Sequence, residues 1–306
     1  MQPIVTRPFQ RGDRERVTAL VNAHIDAVLP GVSVSVNAVM SQLEREPGEY
    51  IVDPWVHERA TIVAIERERV VAAAHLLRYA SEERVSEGYR NLGEIRWLVF
   101  EPDNARAGDA LLGACIAQFE DWGVVRQAAA GSLPCACCYG VPDSWPHLRA
   151  LLVRGGFRNE GRTEVILVAQ VDDLPLDREP PVEGLTLRRE MRVSTRLSAM
   201  LGHELIGFVD FATDLTSGGT LSRLAGWGEL DTLWVDEAHR RRGIGAWLVG
   251  HAADWLRLGH ADRFIAYGLP EQTGELAFLA QLGFRELVRT ECYWVRGEPS
   301  PGDVAA

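Results

Sequence analysis

No stretch of the sequence approaches the ~18–20 uninterrupted apolar residues of a membrane helix, and the opening run Met1–Arg7 has no apolar signal core. Basic charge is in deficit as well, with 32 Lys and Arg against 43 Asp and Glu and a net charge of -11. A nucleic-acid binder usually needs a basic face, so that class is disfavoured, whereas one small basic pocket is not. Cysteine is scarce, at five residues in 306: Cys115, Cys135, Cys137, Cys138 and Cys292. The run Cys135-Ala136-Cys137-Cys138 lacks the second ligand pair of a metal site and ends an apolar stretch at Tyr139-Gly140. It reads as small core residues of a buried strand in a reducing compartment. The expectation is a cytoplasmic protein with no metal, membrane or nucleic-acid partner.

What is present suits two globular cores. Hydrophobic residues make up 46% and charged residues 25%, and 306 residues correspond to about two domains of roughly 150. The chain also matches itself. Gly156-Phe157-Arg158, followed three residues later by Arg162-Thr163-Glu164, recurs as Gly283-Phe284-Arg285 and Arg289-Thr290-Glu291. Tyr139-Gly140-Val141-Pro142-Asp143 recurs as Tyr267-Gly268-Leu269-Pro270-Glu271. Gly93-Glu94-Ile95 precedes Gly108 at the spacing by which Gly228-Glu229-Leu230 precedes Gly243. Three blocks in one order imply duplication of an α/β unit, with a period far above that of a solenoid. The seam is the charged, proline-rich segment from Asp172 to Pro181, which cannot easily continue a strand or helix. The expected domains are 1–171 and 184–306, joined by a linker at 172–183.

The copies differ in length. Arg7 to Gly108 spans 101 positions and Arg188 to Gly243 spans 55, so the first half carries about 46 extra residues. Most lie between Pro8 and Trp55, where Arg14-Val17-Leu20-Val21-Ile25 and Val39-Leu43 predict two helices. In the second half a strand at Leu185–Arg188 passes almost directly into a hairpin, Leu197–Met200 and Leu205–Phe211, matching Thr61–Glu66 and Val70–Leu77 in the first.

The second half also holds the most distinctive segment. Leu230–Val235 alternates as a strand, Asp236–His239 is a polar turn, and Arg240-Arg241-Arg242-Gly243-Ile244-Gly245 follows. Then Trp247, Leu248, Ala252, Trp255 and Leu256 recur at helical spacing to Gly259. A glycine-rich turn opening a helix offers unpaired N–H groups at the positive end of the helix dipole. Glycine lets the backbone approach a bulky anion, and arginine can bind phosphate oxygens two at a time. This predicts a pyrophosphate site. Neither Gly-x-Gly-x-x-Gly nor the lysine-bearing phosphate loop is present, so a dinucleotide or nucleoside triphosphate fits less well.

The pattern Arg240-x-x-Gly243-x-Gly245 after a Leu-x-Val strand end, with Gly283-Phe284 downstream of a helix, resembles the acetyl-CoA loop and C-terminal signature of the GCN5-related N-acetyltransferase (GNAT) superfamily. The resemblance covers most of the second half and, more weakly, the first. It implies two tandem GNAT-like α/β domains, each with a mixed, mainly antiparallel central sheet flanked by helices. It further implies an acetyl-CoA cosubstrate held by Arg240, Arg241, Arg242, Gly243, Ile244 and Gly245. In the family, backbone groups at the end of the preceding strand contact the pantetheine arm, which enters through a splay in the sheet, and polarise the thioester carbonyl. Here those positions are Leu233, Trp234 and Val235. The first half has Ala105-Arg106-Ala107-Gly108-Asp109-Ala110 at the equivalent place, where Asp109 would oppose a pyrophosphate, so that loop is expected to be degenerate.

Transfer to an amine by direct attack in a ternary complex requires a base, since a lysine-like amine has a pKa near 10. Strand alternation would put Glu229 and Asp231 on one face. Asp231 is the first choice because relatives often carry a carboxylate there, and Glu229 is the second. The alternative is that both are solvated strand-end charges pairing with Arg223 or a helix. Many relatives place a tyrosine acid four residues before Gly-Phe, but here that residue is Leu279, and Leu152 in the first half. Tyr267 or Tyr293 are the substitutes. Cys292 lies in the run Glu291–Trp294, read as an alternating strand with no histidine set beside it by any motif. The second half lacks the two helices that wall the acceptor site in single-domain relatives. The first half, through its insertion or Trp145-Pro146-His147, is expected to supply that wall, so an isolated second half would bind acetyl-CoA without turnover. The acceptor is expected to be an amine of a small molecule or peptide, and a homodimer is compatible with the sequence. The competing reading is a non-catalytic acyl-CoA-binding or sensing protein.

Overall fold

The computed structural model describes residues 3–46, 51–176, 179–191, 194–213, 215 and 226–297. The first repeat forms β1 (Val5–Pro8), α1 (Arg14–Val28), α2 (Val36–Glu44), β2 (Val56–Glu66), β3 (Arg69–Tyr79), β4 (Leu92–Phe100), α3 (Ala105–Asp121), β5 (Arg126–Ala129), β6 (Val141–Pro142), α4 (Pro146–Arg154), β7 (Arg158–Asn159) and β8 (Thr163–Gln170). The second forms β9 (Leu185–Met191), β10 (Thr195–Leu201), β11 (Glu204–Ala212), β12 (Trp227–Val235), α5 (Ile244–Leu258), β13 (Arg263–Gly268), α6 (Thr273–Gln281), β14 (Arg285–Glu291) and β15 (Trp294–Arg296). Among the described residues no helix is long and apolar enough to cross a membrane.

The local signals produce the helices that the sequence predicts. In α1, Val17, Leu20, Val21, Ile25 and Val28 are buried at helical spacing. In α2, the Ser35 hydroxyl caps the helix by accepting from the Ala38 amide at 3.1 Å. The second repeat has no counterpart to either helix, because β9 and β10 pair antiparallel with only three residues between them.

The chain folds into two compact units. Among the described residues, the first holds everything up to Thr163 together with Thr290 onward, and the second runs from Glu164 to Arg289. The sheet of the first unit has the order β1-β2-β3-β4-β5-β15-β7. The other sheet has the order β6-β14-β8-β13-β12-β11-β10-β9, with β6 paired to Thr290 and Glu291 at the end of β14. Equivalent strands are thus exchanged. β8, the last strand of the first repeat, runs antiparallel to β13, whereas β15, the last strand of the second, sits between β5 and β7. Sequence periodicity reports which face of a strand is buried, not which sheet receives it, so neither exchange is visible in the repeat.

The core of the second unit packs α5 (Ile244, Trp247, Leu248, Ala252, Leu256) against Leu197, Ala199, Val209, Phe211 and Leu230 of β10, β11 and β12. Each such fully buried aliphatic side chain contributes about 1.5–3 kcal/mol. The seam segment joins this core through Val171 and Leu174, and Val182 packs against it. Arg257 donates to the carbonyls of Val171 and Leu174.

Two strand expectations fail. β13 runs unbroken, but its counterpart in the first repeat is interrupted between β5 and β6, and Cys135–Cys138 lie in the intervening turn. That turn is closed by bonds from Leu133 N–H to the Cys138 carbonyl (2.9 Å) and from Gly140 N–H to the Ala130 carbonyl (2.7 Å). A Cβ on Gly131 would stand 1.8 Å from the Gly140 carbonyl oxygen, so the crossing requires glycine there. The cysteines are buried, as expected, but in a turn. Cys292 is likewise not in a strand. It lies in the break between β14 and β15, where Tyr293 takes φ +58°.

Candidate functional site

β12 and β13 pair in parallel only from Trp227 to Glu229, opposite Arg263 to Ile265. Beyond that, β12 stays with β11 and β13 stays with β8, so the sheet of the second unit opens at the C-terminal end of β12. In the first unit, β4 and β5 also part after Ile95. There the segment after β5 crosses the gap, with Ser132 N–H donating to the Arg96 carbonyl at 2.7 Å and Gln42 Nε2 to the Ser132 carbonyl at 3.3 Å.

The open end of β12 leads into a turn with unsatisfied donors. Arg241 has φ +61° and Gly243, the N-cap of α5, has φ +83°. Left-handed residues alternating with right-handed ones turn successive N–H groups toward one concavity, a geometry that binds anions. No backbone carbonyl among the described residues accepts from the amides of Arg241 through Gly245, while α5 begins its own bonding with Trp247 to Gly243. Ile244 is buried and pins the turn to the core, and Arg240 to Gly243 are exposed. Arg240 Nε donates to the Val235 carbonyl at 3.0 Å, folding this arginine back onto the strand end. Upstream, the Asp236 carboxylate takes bonds from the Ala238 amide (3.0 Å) and His239 Nδ1 (3.1 Å), which hold its pKa below the ordinary carboxylate value. All 32 cationic side chains of the protein are arginine, since the sequence has no lysine, so the charge at this turn is entirely guanidinium.

The first unit has no such cradle. Its helix starts at Ala105, four positions earlier in the repeat than α5, so residues equivalent to the open turn are wound into α3. Asn104 caps it, its side chain accepting from the Ala107 amide at 3.2 Å. Asp109 therefore sits on the helix rather than inside a turn, paired with Arg154 at 2.8 Å. The Asn104 carbonyl and side chain take the Ala107 and Gly108 amides, so this loop differs from the second unit's in its donors as well as in its charge.

The residues expected to carry chemistry are spread around the opening. Asp231 is the extra residue of a β-bulge: Leu230 faces Phe211 and Thr232 faces Asp210 across β11, leaving Asp231 without an opposite. The bulge breaks the alternation used to set Glu229 and Asp231 on one face, and Asp231 and Thr232 are both exposed. Glu229 is half-buried at the last β12–β13 pair. Tyr267, also half-buried, lies two positions past Ile265 on the other bank. Leu233 and Val235 pack against the core, while Trp234 is exposed and tilts against Phe208 with ring centroids 5.6 Å apart. Leu279 is 2% exposed in the core and offers no hydroxyl. Tyr293 belongs to the first unit, and Arg223 lies outside the described residues. The bulge recurs in the first unit, where Arg96 is the extra residue of β4 and donates to Glu94 at 3.0 Å. The position that is an exposed carboxylate in one unit is a buried arginine neutralising its neighbour in the other. Trp145 and His147 turn inward in the first unit, lining a cavity of about 260 Å³ with His24. There Trp145 Nε1 donates to the His24 carbonyl at 2.9 Å.

The sequence model of the acetyltransferase (GNAT) family matches residues 168–284, from within β8 to Phe284. Over these residues the chain is similar to the GNAT family. The matched span takes in the last three residues of the exchanged strand β8, the opening beside β12 and the whole turn. No curated protein matches the chain. Among solved structures, a tandem GNAT protein from the clavulanic acid biosynthesis pathway aligns over 97% of this chain and 100% of its own, at TM-score 0.59 and 15% identity. A GCN5-related N-acetyltransferase from Sphaerobacter thermophilus aligns over 95% and 94%, at TM-score 0.59 and 13% identity. The glucosamine N-acetyltransferase region of a fungal multi-domain GH3 β-N-acetylglucosaminidase aligns over 96% of this chain at TM-score 0.62 and 14% identity, and this chain spans 38% of that longer one. These likenesses extend the GNAT fold to both units: the protein is a tandem GNAT fold with two mixed sheets.

Proposed function

We propose that the protein transfers an acetyl group from acetyl-CoA to the amine of a small molecule or peptide, using one site in the second unit. The observation that carries this reading is the turn from Arg241 to Gly245. Its amides are unclaimed by backbone carbonyls among the described residues, it heads α5, and it lies at the end of the strand beside which the sheet opens. Acetyl-CoA supplies the activated acyl group as a thioester. The amides of 241–245 and the guanidinium groups of Arg241 and Arg242 bind its pyrophosphate. Leu233 to Val235 lie along the pantetheine arm, and Asp231, exposed at the bulge, takes the proton from the attacking amine directly or through water. Glu229 is the second candidate base. Tyr267, on the facing bank, is the candidate proton donor to the departing thiolate in place of Leu279.

A second reading is a protein that binds acyl-CoA without transferring it, favoured by the buried Leu279. Thiol release from acetyl-CoA with an amine panel separates the two. The chain's five cysteines are buried and it has no lysine, so neither adds a large background. Release that depends on an amine supports the enzyme. Tight binding with no release over a broad panel supports the sensor.

A further inference from the structure

The cavity of about 260 Å³ in the first unit lies between α1, the end of β4 and the start of α4. Its walls are mostly apolar, formed by Leu20, Ala23, Ala27, Phe100, Pro102 and Pro146. Ala23 and Ala27 stand one helical turn apart and are exposed, as are Pro102 and Pro146, so the cavity opens to solvent along this rim. Five lining residues carry polar side chains: His24, Glu101, Ser144, Trp145 and His147. Three of them have their hydrogen bonds made within the protein. Arg16 and Arg69 both donate to the Glu101 carboxylate. The Trp145 indole N–H donates to the His24 carbonyl. The His24 ring bonds the Leu20 carbonyl through Nδ1 and His147 Nε2 through its own Nε2, both at 2.9 Å.

These bonds fix where the ring protons lie. A carbonyl only accepts, so His24 Nδ1 carries the hydrogen. Burial pushes the pKa of His24 down to about 4 and that of His147 down as well, so near pH 7 each ring is neutral and carries one hydrogen. His24 Nε2 is therefore a bare lone pair, and the bond between the rings is donated by His147 Nε2. That leaves His147 Nδ1 as an acceptor, and the ring makes no other hydrogen bond among the described residues. Ser144, three residues earlier, has a buried hydroxyl oxygen with no hydrogen-bond partner among the described residues. Buried polar atoms are normally satisfied. The cavity thus presents one acceptor and one hydroxyl in an apolar wall, with Phe100 and His147 meeting edge to face at 4.8 Å. We propose that it is a binding site for a single-ring phenol or aryl alcohol. The ligand's hydroxyl donates to His147 Nδ1 and accepts from Ser144 Oγ, while its ring lies against α1 and Phe100. An apolar cavity of about 150 Å³ suffices for benzene, so a ring with one or two small substituents fits this one. Water along the apolar walls finds few partners, and displacing it with a ring is favourable. The site lies in the first unit and does not depend on acetyl transfer in the second.

The test is calorimetric titration of the full chain with phenol, alongside anisole, which cannot donate, and toluene, which has no polar group. Phenol should bind once per chain and at least tenfold more tightly than either control. Ala23→Phe, which fills the cavity from its rim, should weaken phenol binding at least tenfold. Ser144→Ala should weaken it at least fivefold without lowering the melting temperature, because the oxygen removed bonds nothing among the described residues. Should Ala23→Phe fail to fold, the wild-type ranking of the three probes and Ser144→Ala decide. The proposal is overturned if phenol does not bind, if anisole or toluene matches it, if a folded variant binds phenol as wild type does, or if crystals soaked with phenol show it only elsewhere.

Discussion

Replacing Gly243 with alanine tests the turn through backbone geometry alone, since no charge changes. At φ +83° a side chain in the left-handed region costs about 1–2 kcal/mol. The new Cβ would also stand 3.1 Å from Pro181 Cβ, a contact that has to give. The turn relieves the strain by rotating its peptides, which redirects the amides of residues 243 and 244. Losing one hydrogen bond to a charged group is worth about 1.5–3 kcal/mol, which is roughly ten- to hundredfold in Kd for acetyl-CoA. Calorimetry at fixed salt reads the affinity, and thermal unfolding reads the strain. Two companions sharpen the result. Arg241→Gly relieves a positive φ of 61° while deleting a charge, so it should raise the melting temperature and still weaken binding. Asn104→Ala removes the cap of α3 at a cost of about 1 kcal/mol and should leave acetyl-CoA affinity unchanged. The reasoning is refuted if Gly243→Ala binds acetyl-CoA as tightly as wild type, or if Asn104→Ala weakens binding equally.

Asp231→Asn should lower kcat by about 10²–10⁴, the usual worth of a positioned proton acceptor, with acetyl-CoA affinity unchanged; an unaltered kcat would remove Asp231 as the base. Trp294→Ala, although late in the sequence, should destabilise the first unit by about 3–5 kcal/mol, because Trp294 is 2% exposed within the β5-β15-β7 part of its sheet; the check is which of two thermal transitions moves. Burial pushes the pKa of His24 down to about 4, and burial with Arg59 and Arg96 pushes that of His75 down to about 3. The unfolded chain therefore binds the extra protons once pH falls below the ordinary histidine value of about 6.5, and stability present above that value is lost as pH falls toward 4. In urea titrations across that range, His75→Gln should flatten the slope by about 1.4 kcal/mol per pH unit, and an unchanged slope would contradict the assignment.

Much of this architecture is legible in the residues. Duplication shows in Gly156-Phe157 and Gly283-Phe284, the α1–α2 insertion in the length difference, and the turn in the glycines after β12, because each is local chemistry with a fixed spacing. The strand exchange is not legible, since β8 and β15 carry the same apolar pattern whichever sheet accepts them. The bulge at Asp231 escaped for a related reason. An inserted residue changes which face follows without changing residue type, and only two exposed residues in succession, Asp231 and Thr232, betray it. The buried turn at Cys135–Cys138 reads as a strand because small apolar residues suit either setting, and the signal against it was Gly131 with Pro134. An isolated 184–306 fragment, which the linear reading would bind to acetyl-CoA, lacks β8 and so leaves β13 and β14 without the strand between them.

Calorimetric titration of the intact protein with acetyl-CoA should give one site per chain, lost or severely weakened by Gly243→Ala and untouched by Asn104→Ala. Two equivalents bound per chain, or a single one that follows Asn104 rather than Gly243, would contradict it.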